Sequence, residues 1–340
     1  MPPTKFLTIA VTSYSRVSEL ERCILSIDAS MIEDIEVIVS EDCSPKKIEI
    51  TALVARLSAS SKFDLKFNSN HRNLGYDKNI KKLIDLASGE YILFITDDDK
   101  FSSGALDEVI SHLKENRPAF LLTPYQHVKS DSRSRTYSKS HVIPCGLQSI
   151  KKYVFDSILV SGLIFKRALI PCYHEDKFDM LIYSQVYIFC AILLNDEGAY
   201  FEVNLIDCVE DGENAYGKSE SNVNEYLSDR SKPISNLEFN KGLLQIIRVF
   251  DFDHDTSLHK LFSSEYLFRS WTGLAESKRI SQHEMKAYFH KLRSLDVGYS
   301  VYPYIYFIVL SCLGYSLSQF LLFIPKFVIR KIRSLIISRR

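Results

Sequence analysis

The chain has 340 residues, 46% of them hydrophobic and 25% charged, a mix that excludes wholesale disorder and leaves room for one large domain or two modest ones. Lysine plus arginine and aspartate plus glutamate both total 42, so the formal net charge is zero, which argues against a nucleic-acid binder. The charge is unevenly placed: the acids all precede residue 297, and the 297–340 tail is basic. Seven cysteines without Cys-x-x-Cys spacing disfavour a zinc site or a disulfide framework and suit a reducing compartment. The first residues lack the apolar stretch and cleavage site of a signal peptide.

In chain order, Phe6–Val11 is a short β-forming run, followed by helical periodicity at Leu20, Ile24 and Ile27 with capping-box spacing at Ser18 and Glu21. Ile35–Val39 predicts a strand, Ile48–Leu57 a helix and Leu65–Phe67 a short strand. Ile80, Leu83, Ile84 and Ala87 mark a helix stopped by Gly89, and Tyr91–Ile95 a third strong strand. Another helix follows at Leu106–Leu113, then a strand at Ala119–Thr123. This alternation predicts an α/β fold with a mostly parallel central sheet covered on both faces. Residues 129–141, rich in Ser, Lys and Arg, read as an exposed loop. Helices are expected near 182–194, 236–250, 257–275 and 281–295, the last with capping-box spacing at Ser281 and Glu284.

Ligands of open parallel sheets bind beyond the carboxyl ends of the strands. Three strong strands end in Thr12-Ser13-Tyr14-Ser15-Arg16, Ser40-Glu41-Asp42-Cys43-Ser44 and Thr96-Asp97-Asp98-Asp99-Lys100. Three such ends, two of them acidic, point to one shared site. Consecutive carboxylates repel unless a cation or hydrogen bonds offset them. A divalent cation of the Mg or Mn type would do so and would bridge to phosphates. A solvated loop with a helix N-cap is the other reading of the same triplet.

In order and spacing over about residues 5–125, these stretches resemble family 2 glycosyltransferases of the GT-A fold. Val11-Thr12-Ser13-Tyr14-Ser15-Arg16 matches the first strand end of that family, and Glu41-Asp42-Cys43-Ser44 its acidic pair. Asn73-Leu74-Gly75 with Lys78-Asn79 follows, and Gly89-Glu90-Tyr91-Ile92-Leu93-Phe94 leads into the Asp triplet as its metal motif does. The resemblance implies nucleotide contacts at Thr12, Tyr14, Arg16, Asp42, Lys78, Asn79 and Asp97, with Asp42 on the base. It implies a Mn or Mg ion on Asp98 and Asp99, neutralising the leaving diphosphate. The family usually places an acidic pair before a long helix as the base. Here that stretch reads Met180-Leu181-Ile182-Tyr183-Ser184-Gln185 and lacks the pair. The upstream carboxylates Asp179 and Asp176 are therefore the expected base, unless both are surface acids and the base lies elsewhere.

Asn73-Leu74-Gly75-x-Asp77-x-Asn79 and Ser161-Gly162-Leu163-Ile164-Phe165-Lys166 resemble a narrower group, bacterial transferases that build surface polysaccharide of the O-antigen type. That implies a nucleotide-diphosphate sugar donor and a saccharide acceptor on polyprenyl diphosphate.

Residues 297–325 carry no charge, and 326–340 are basic with apolar residues at helical spacing. The tail is expected to meet a membrane surface, by spanning, re-entering or lying on it, with a buried helical pair as the other reading. The expected division is 1–215 for the catalytic domain (1–125 nucleotide-binding, 126–215 acceptor half), 216–296 for a helical extension and 297–340 for the membrane-associating tail. The expected place is the cytoplasmic face of the bacterial inner membrane. A nucleotidyltransferase is disfavoured, because Thr12–Ser18 has no glycine for a phosphate loop. A non-catalytic, membrane-bound nucleotide-sugar binder stays open, since the acidic pair is missing.

Overall fold

The computed structural model describes residues 5–178, 181–209, 211, 233–295 and 298–318. The chain divides into two compact units, 1–225 and 226–340. The first unit opens with β1 (Lys5–Ser13), α1 (Val17–Leu25), β2 (Ile35–Glu41), α2 (Lys47–Ser60), β3 (Asp64–Ser69), α3 (Tyr76–Leu86) and β4 (Gly89–Thr96). It continues with β5 (Asp99–Phe101), α4 (Ala105–Asn116), β6 (Phe120–Leu122), β7 (Tyr125–His127), β8 (Ser132–Ser134), β9 (His141–Ile143) and α5 (Leu147–Tyr153). Then come β10 (Leu163–Lys166), α6 (Ser184–Asn195), β11 (Gly198–Tyr200) and β12 (Ile206–Cys208).

Eight strands form one sheet in the order β3-β2-β1-β4-β10-β6-β11-β9. The β3, β2, β1 and β4 strands are parallel, as are β6 and β11, while β10 and β9 run antiparallel to their neighbours. The expected mostly parallel sheet is therefore present. Alternation in β1, β2 and β4 sends Leu7, Ile9, Val11, Val37, Val39, Leu93 and Ile95 to one core, which they share with Leu20 and Cys23 of α1, Val54 of α2 and Val109 of α4. The other face carries α3 over β1 and β2. Each such buried aliphatic side chain contributes about 1.5–3 kcal/mol. Strand order reverses at β1 and β4, the topological switch point of the sheet. A second sheet, β5-β12-β7-β8, lies beyond it in sequence.

Two local expectations change. Residues 129–141 are not all loop: β8 pairs with β7, and Arg135 just after it is buried. Its guanidinium donates to the carbonyls of Leu159 and Ser161 and lies 4.9 Å from the Tyr125 ring centre. A composition rich in Ser, Lys and Arg conceals such a hairpin, because the burial comes from distant residues. The Ser18–Glu21 capping box does not form either; α1 starts at Val17, two residues too early, and Ser18 bonds Glu19 instead.

The second unit holds α7 (Ser235–His254), α8 (Leu258–Arg269), α9 (Trp271–Ile280) and α10 (Gln282–Ser294). The single helix expected over 257–275 is thus two. Ser281 does cap α10, accepting from the Glu284 amide at 3.0 Å. A helix over 302–318 follows. Its Tyr306 hydroxyl donates to the Phe268 carbonyl at 3.0 Å, Phe307 stacks on Phe289, and Leu310 is fully buried. This first part of the tail therefore belongs to the helical core, because its apolar residues at 303, 306 and 310 fall on one face. Among the described residues no helix is long and apolar enough to cross a membrane. The basic stretch 326–340, like most of 210–232, lies outside the described residues.

Candidate active site

Backbone pairing continues past the ends of the parallel strands and lays their loops side by side. Asp42 donates its amide to the Ser13 carbonyl, Asp97 to that of Thr12 and Asn70 to that of Glu41, at 2.9–3.1 Å. Ser15 and Cys43 then take left-handed backbone, with φ of 62° and 52°, turning the chain sharply away from the sheet. The three strand ends expected to share a site lie side by side, at the switch point between β1 and β4.

At its centre lie Asp97, Asp98 and Asp99, in three different environments. Asp97 is buried; its carboxylate accepts from the Tyr14 amide at 2.9 Å and from Arg16 Nη1 at 2.8 Å. Burial pushes its pKa up to about 7, against the pull of Arg16. Asp99 is also buried and accepts from Thr96 Oγ1 at 3.1 Å; burial and the neighbouring Asp98 push it up to about 6. Asp98 alone keeps appreciable access, at 22% exposure of its side chain, and lies 3.3 Å from Arg16. Asp97 and Asp98 thus meet at one Arg16 nitrogen while Asp99 is held by Thr96, and among the described residues no three His, Cys, Asp or Glu groups form a metal cage. Asp99, expected beside Asp98 at a metal, is held by Thr96 at the same strand end. The donor set still fits a hard cation: Mg-type ions are held by one or two carboxylates together with substrate phosphates, and Asp98 offers such a carboxylate.

Asp42 is buried and accepts from Asn70 Nδ2 and from the amides of Leu74 and Gly75 at 2.8–2.9 Å. Burial raises its pKa, while those three donors oppose the rise. Gly75, at φ 80°, allows the two successive amides to face one carboxylate. A carboxylate has about four acceptor positions, so Asp42 retains capacity for one more donor. Asn79 is buried and engaged within the protein: it accepts from Ser40 Oγ at 2.6 Å and donates to the Ser40 carbonyl at 3.1 Å. These bonds tie α3 to β2 at the position where a nucleotide contact is expected. Thr12 and Tyr14 are half-buried at the β1 end, and Thr12 stands level with Ser40 and Thr96 in the sheet.

Lys78, expected near phosphates, makes a 2.7 Å ion pair with Asp176. That pairing lowers the pKa of the exposed Asp176 and so weakens it as a base. Asp179 lies outside the described residues.

Sequence reasoning missed Arg22. From α1 its Nη2 donates to the Asp98 carbonyl at 2.8 Å, and its fork grips the Asp211 carboxylate at 2.6 and 2.8 Å. Ser161 belongs to the 161–166 motif, which assigns it no role; its Oγ accepts from the Thr96 amide at 3.1 Å. No spacing rule reveals the contact of either residue, since each meets the Asp run only through the fold.

The family model described as "Glycosyl transferase family 2" matches residues 8–177, half of the chain. A curated relative from Campylobacter jejuni, a GalNAc(5)-diNAcBac-PP-undecaprenol beta-1,3-glucosyltransferase, is 31% identical over 109 residues, 32% of this chain and 35% of that protein. The chain thus spans about a third of the length of the curated relatives it matches. Among solved structures, S. aureus TarS 1–349 in complex with UDP-GlcNAc superposes with a TM-score of 0.54 at 16% identity, covering 92% of each chain. The mannosyltransferase PcManGT from Pyrobaculum calidifontis, in complex with GDP-Man and Mn2+, gives 0.53 at 12% identity, covering 96% of this chain and 86% of that one. At these identities the likeness is one of fold.

Proposed function

The chain belongs to glycosyl transferase family 2 and has the GT-A-type α/β fold, and on that premise we propose that it moves a sugar from a nucleotide-diphosphate donor to a saccharide acceptor carried on polyprenyl diphosphate. One observation carries this reading: the family match coincides with a strand-end cluster in which Arg16, Asp97 and Asp98 adjoin at the switch point.

In this reading Thr12, Tyr14 and Asp42 form the pocket for base and ribose, with the remaining acceptor capacity of Asp42 on a base N–H. Arg16 orients Asp97 and Asp98 and lends positive charge beside the diphosphate. Asp98 would hold a Mn or Mg ion, with Asp97 close by, and a cation bound there neutralises the leaving diphosphate. Arg22 holds the backbone of this loop through the Asp98 carbonyl. The acceptor hydroxyl must lose a proton as it attacks. Asp179 is the base in this reading, because Asp176 is held by Lys78.

The lipid-linked acceptor is supported by the name of the Campylobacter relative and by the uncharged and basic tail. That tail would place the enzyme at the cytoplasmic face of a bacterial membrane, within surface polysaccharide synthesis. The test is a thermal-shift screen against UDP, GDP and their sugars with and without Mn2+, followed by transfer of labelled sugar to polyprenyl-diphosphate saccharides. Ligand binding raises the melting temperature. No shift with any nucleotide would defeat the proposal.

A further inference from the structure

We infer that Asp77 is a positioning residue that fixes the start of α6 against the strand-end site and so sets where the acceptor meets the donor; this deepens, and rests on, the transferase reading above. Three consecutive residues in the first turn of α3 reach the same distant segment. The Tyr76 hydroxyl donates to Gln185 Oε1 at 3.2 Å. The Asp77 carboxylate accepts from the Ile182 amide at 2.6 Å and from the Ser184 amide at 2.9 Å. Lys78 pairs with Asp176 at 2.7 Å. Asp77 itself is buried, at 5% exposure.

The first amides of a helix have no partner within it. Ser184 opens α6, and Tyr183, at its N-cap, supplies no side-chain bond. Asp77 therefore caps α6 from 107 residues away. A carboxylate is favoured there by the helix dipole. Ile182 also sits at φ 57°, a left-handed backbone that a β-branched residue keeps only when its surroundings impose it. The bond from its amide to Asp77 is one such constraint.

The same turn of α3 is anchored on its other side to the proposed donor pocket. Asp42 receives the Leu74 and Gly75 amides just before it, and Asn79 exchanges bonds with Ser40 just after it. The turn is thus a bracket with donor residues on one side and the 182–185 segment on the other. Loosening Asp77 leaves the donor side braced by Asp42 and Asn79 and releases the Ile182 and Ser184 amides on the α6 side.

The experiment compares Asp77→Asn and Asp77→Glu with the wild-type chain by steady-state kinetics with a nucleotide sugar, by calorimetric titration of UDP and GDP with Mn2+, and by hydrogen exchange. Losing a charged bond to an amide predicts that exchange over 182–188 rises about tenfold in Asp77→Asn and that kcat falls about tenfold. Donor KM and nucleotide affinity stay within about twofold, since both rest on the other side of the bracket. Asp77→Glu, which keeps the carboxylate, recovers part of kcat. Exchange unchanged over 182–188, an unchanged kcat, or nucleotide affinity falling in step with kcat would each overturn the inference. A wild-type chain that turns over no nucleotide sugar overturns the transferase reading instead, and the exchange measurement still decides whether Asp77 holds the segment.

Discussion

Asp98 stands apart from its neighbours because it alone combines access to solvent with a place beside Arg16. Asp98→Asn should therefore leave the fold intact, remove Mn-dependent nucleotide binding and lower transfer by on the order of 100-fold, the scale of losing one electrostatic stabiliser of a developing charge. Calorimetric titration of UDP and GDP with Mn2+, beside a transfer assay, checks it; full activity in the folded variant would sink the assignment. Asp97 gives a different test. Its folded pKa, about 7, lies above the ordinary value of 3.8. The folded state therefore binds more protons than the unfolded state between those limits, and stability falls as pH rises through the window. In EDTA, the wild type should lose about 1 kcal/mol per pH unit from about pH 5 to pH 7 relative to Asp97→Asn, whose amide does not titrate. Urea unfolding followed by circular dichroism measures the difference, and parallel pH profiles would refute it.

Among the elements, α1 and α10 show how little a capping motif means before its first helical residue is known. Both Ser18–Glu21 and Ser281–Glu284 have the spacing. Only Ser281 sits one residue outside its helix, where its hydroxyl meets the Glu284 amide. Ser18 lies inside α1, and Arg16 occupies the cap position while its guanidinium serves Asp97. A guanidinium has no acceptor, so α1 starts without a side-chain cap. Ser281→Ala should cost about 1 kcal/mol and Ser18→Ala less than about 0.5 kcal/mol. Trp271, the only tryptophan, is buried in α9, so its fluorescence during urea unfolding reports the Ser281 variant directly. Equal losses in the two variants would contradict the assignment of caps.

For the whole molecule, the place at which the tail is cut decides the outcome. Tyr306, Phe307 and Leu310 pack with α8 and α10, so removing 297–340 should unfold the helical unit by exposing its core. Ending the chain after Ser318 keeps those contacts and removes the basic stretch. That shorter protein should keep its Trp271 unfolding transition and lose flotation with anionic vesicles. Flotation of the full chain should weaken as salt rises, since exposed charges are screened within about 8 Å at physiological ionic strength. Equal flotation of both chains would remove the basic tail from the proposed membrane contact. The helix over 302–318 also exposes Ile305, Ile308 and Leu317, with no charged residue among 297–325.

The sequence by itself determined the parallel sheet, the positions of β1, β2 and β4 and the clustering of their polar ends. Those features follow from hydrophobic period and strand direction, which are local. It also marked Asp42, Asp97 and Asp98 as neighbours, because successive parallel strands deliver their carboxyl ends to one edge. Only the tertiary structure decided what each carboxylate does. Asp97, Asp98 and Asp99 are adjacent in sequence yet differ in burial and partners, and Asn79 is bonded across to Ser40. Arg22, Ser161 and Asp77 act through bonds across 65 to 189 residues. Such bonds leave no period or spacing in the chain, since the fold alone brings donor and acceptor within hydrogen-bonding distance.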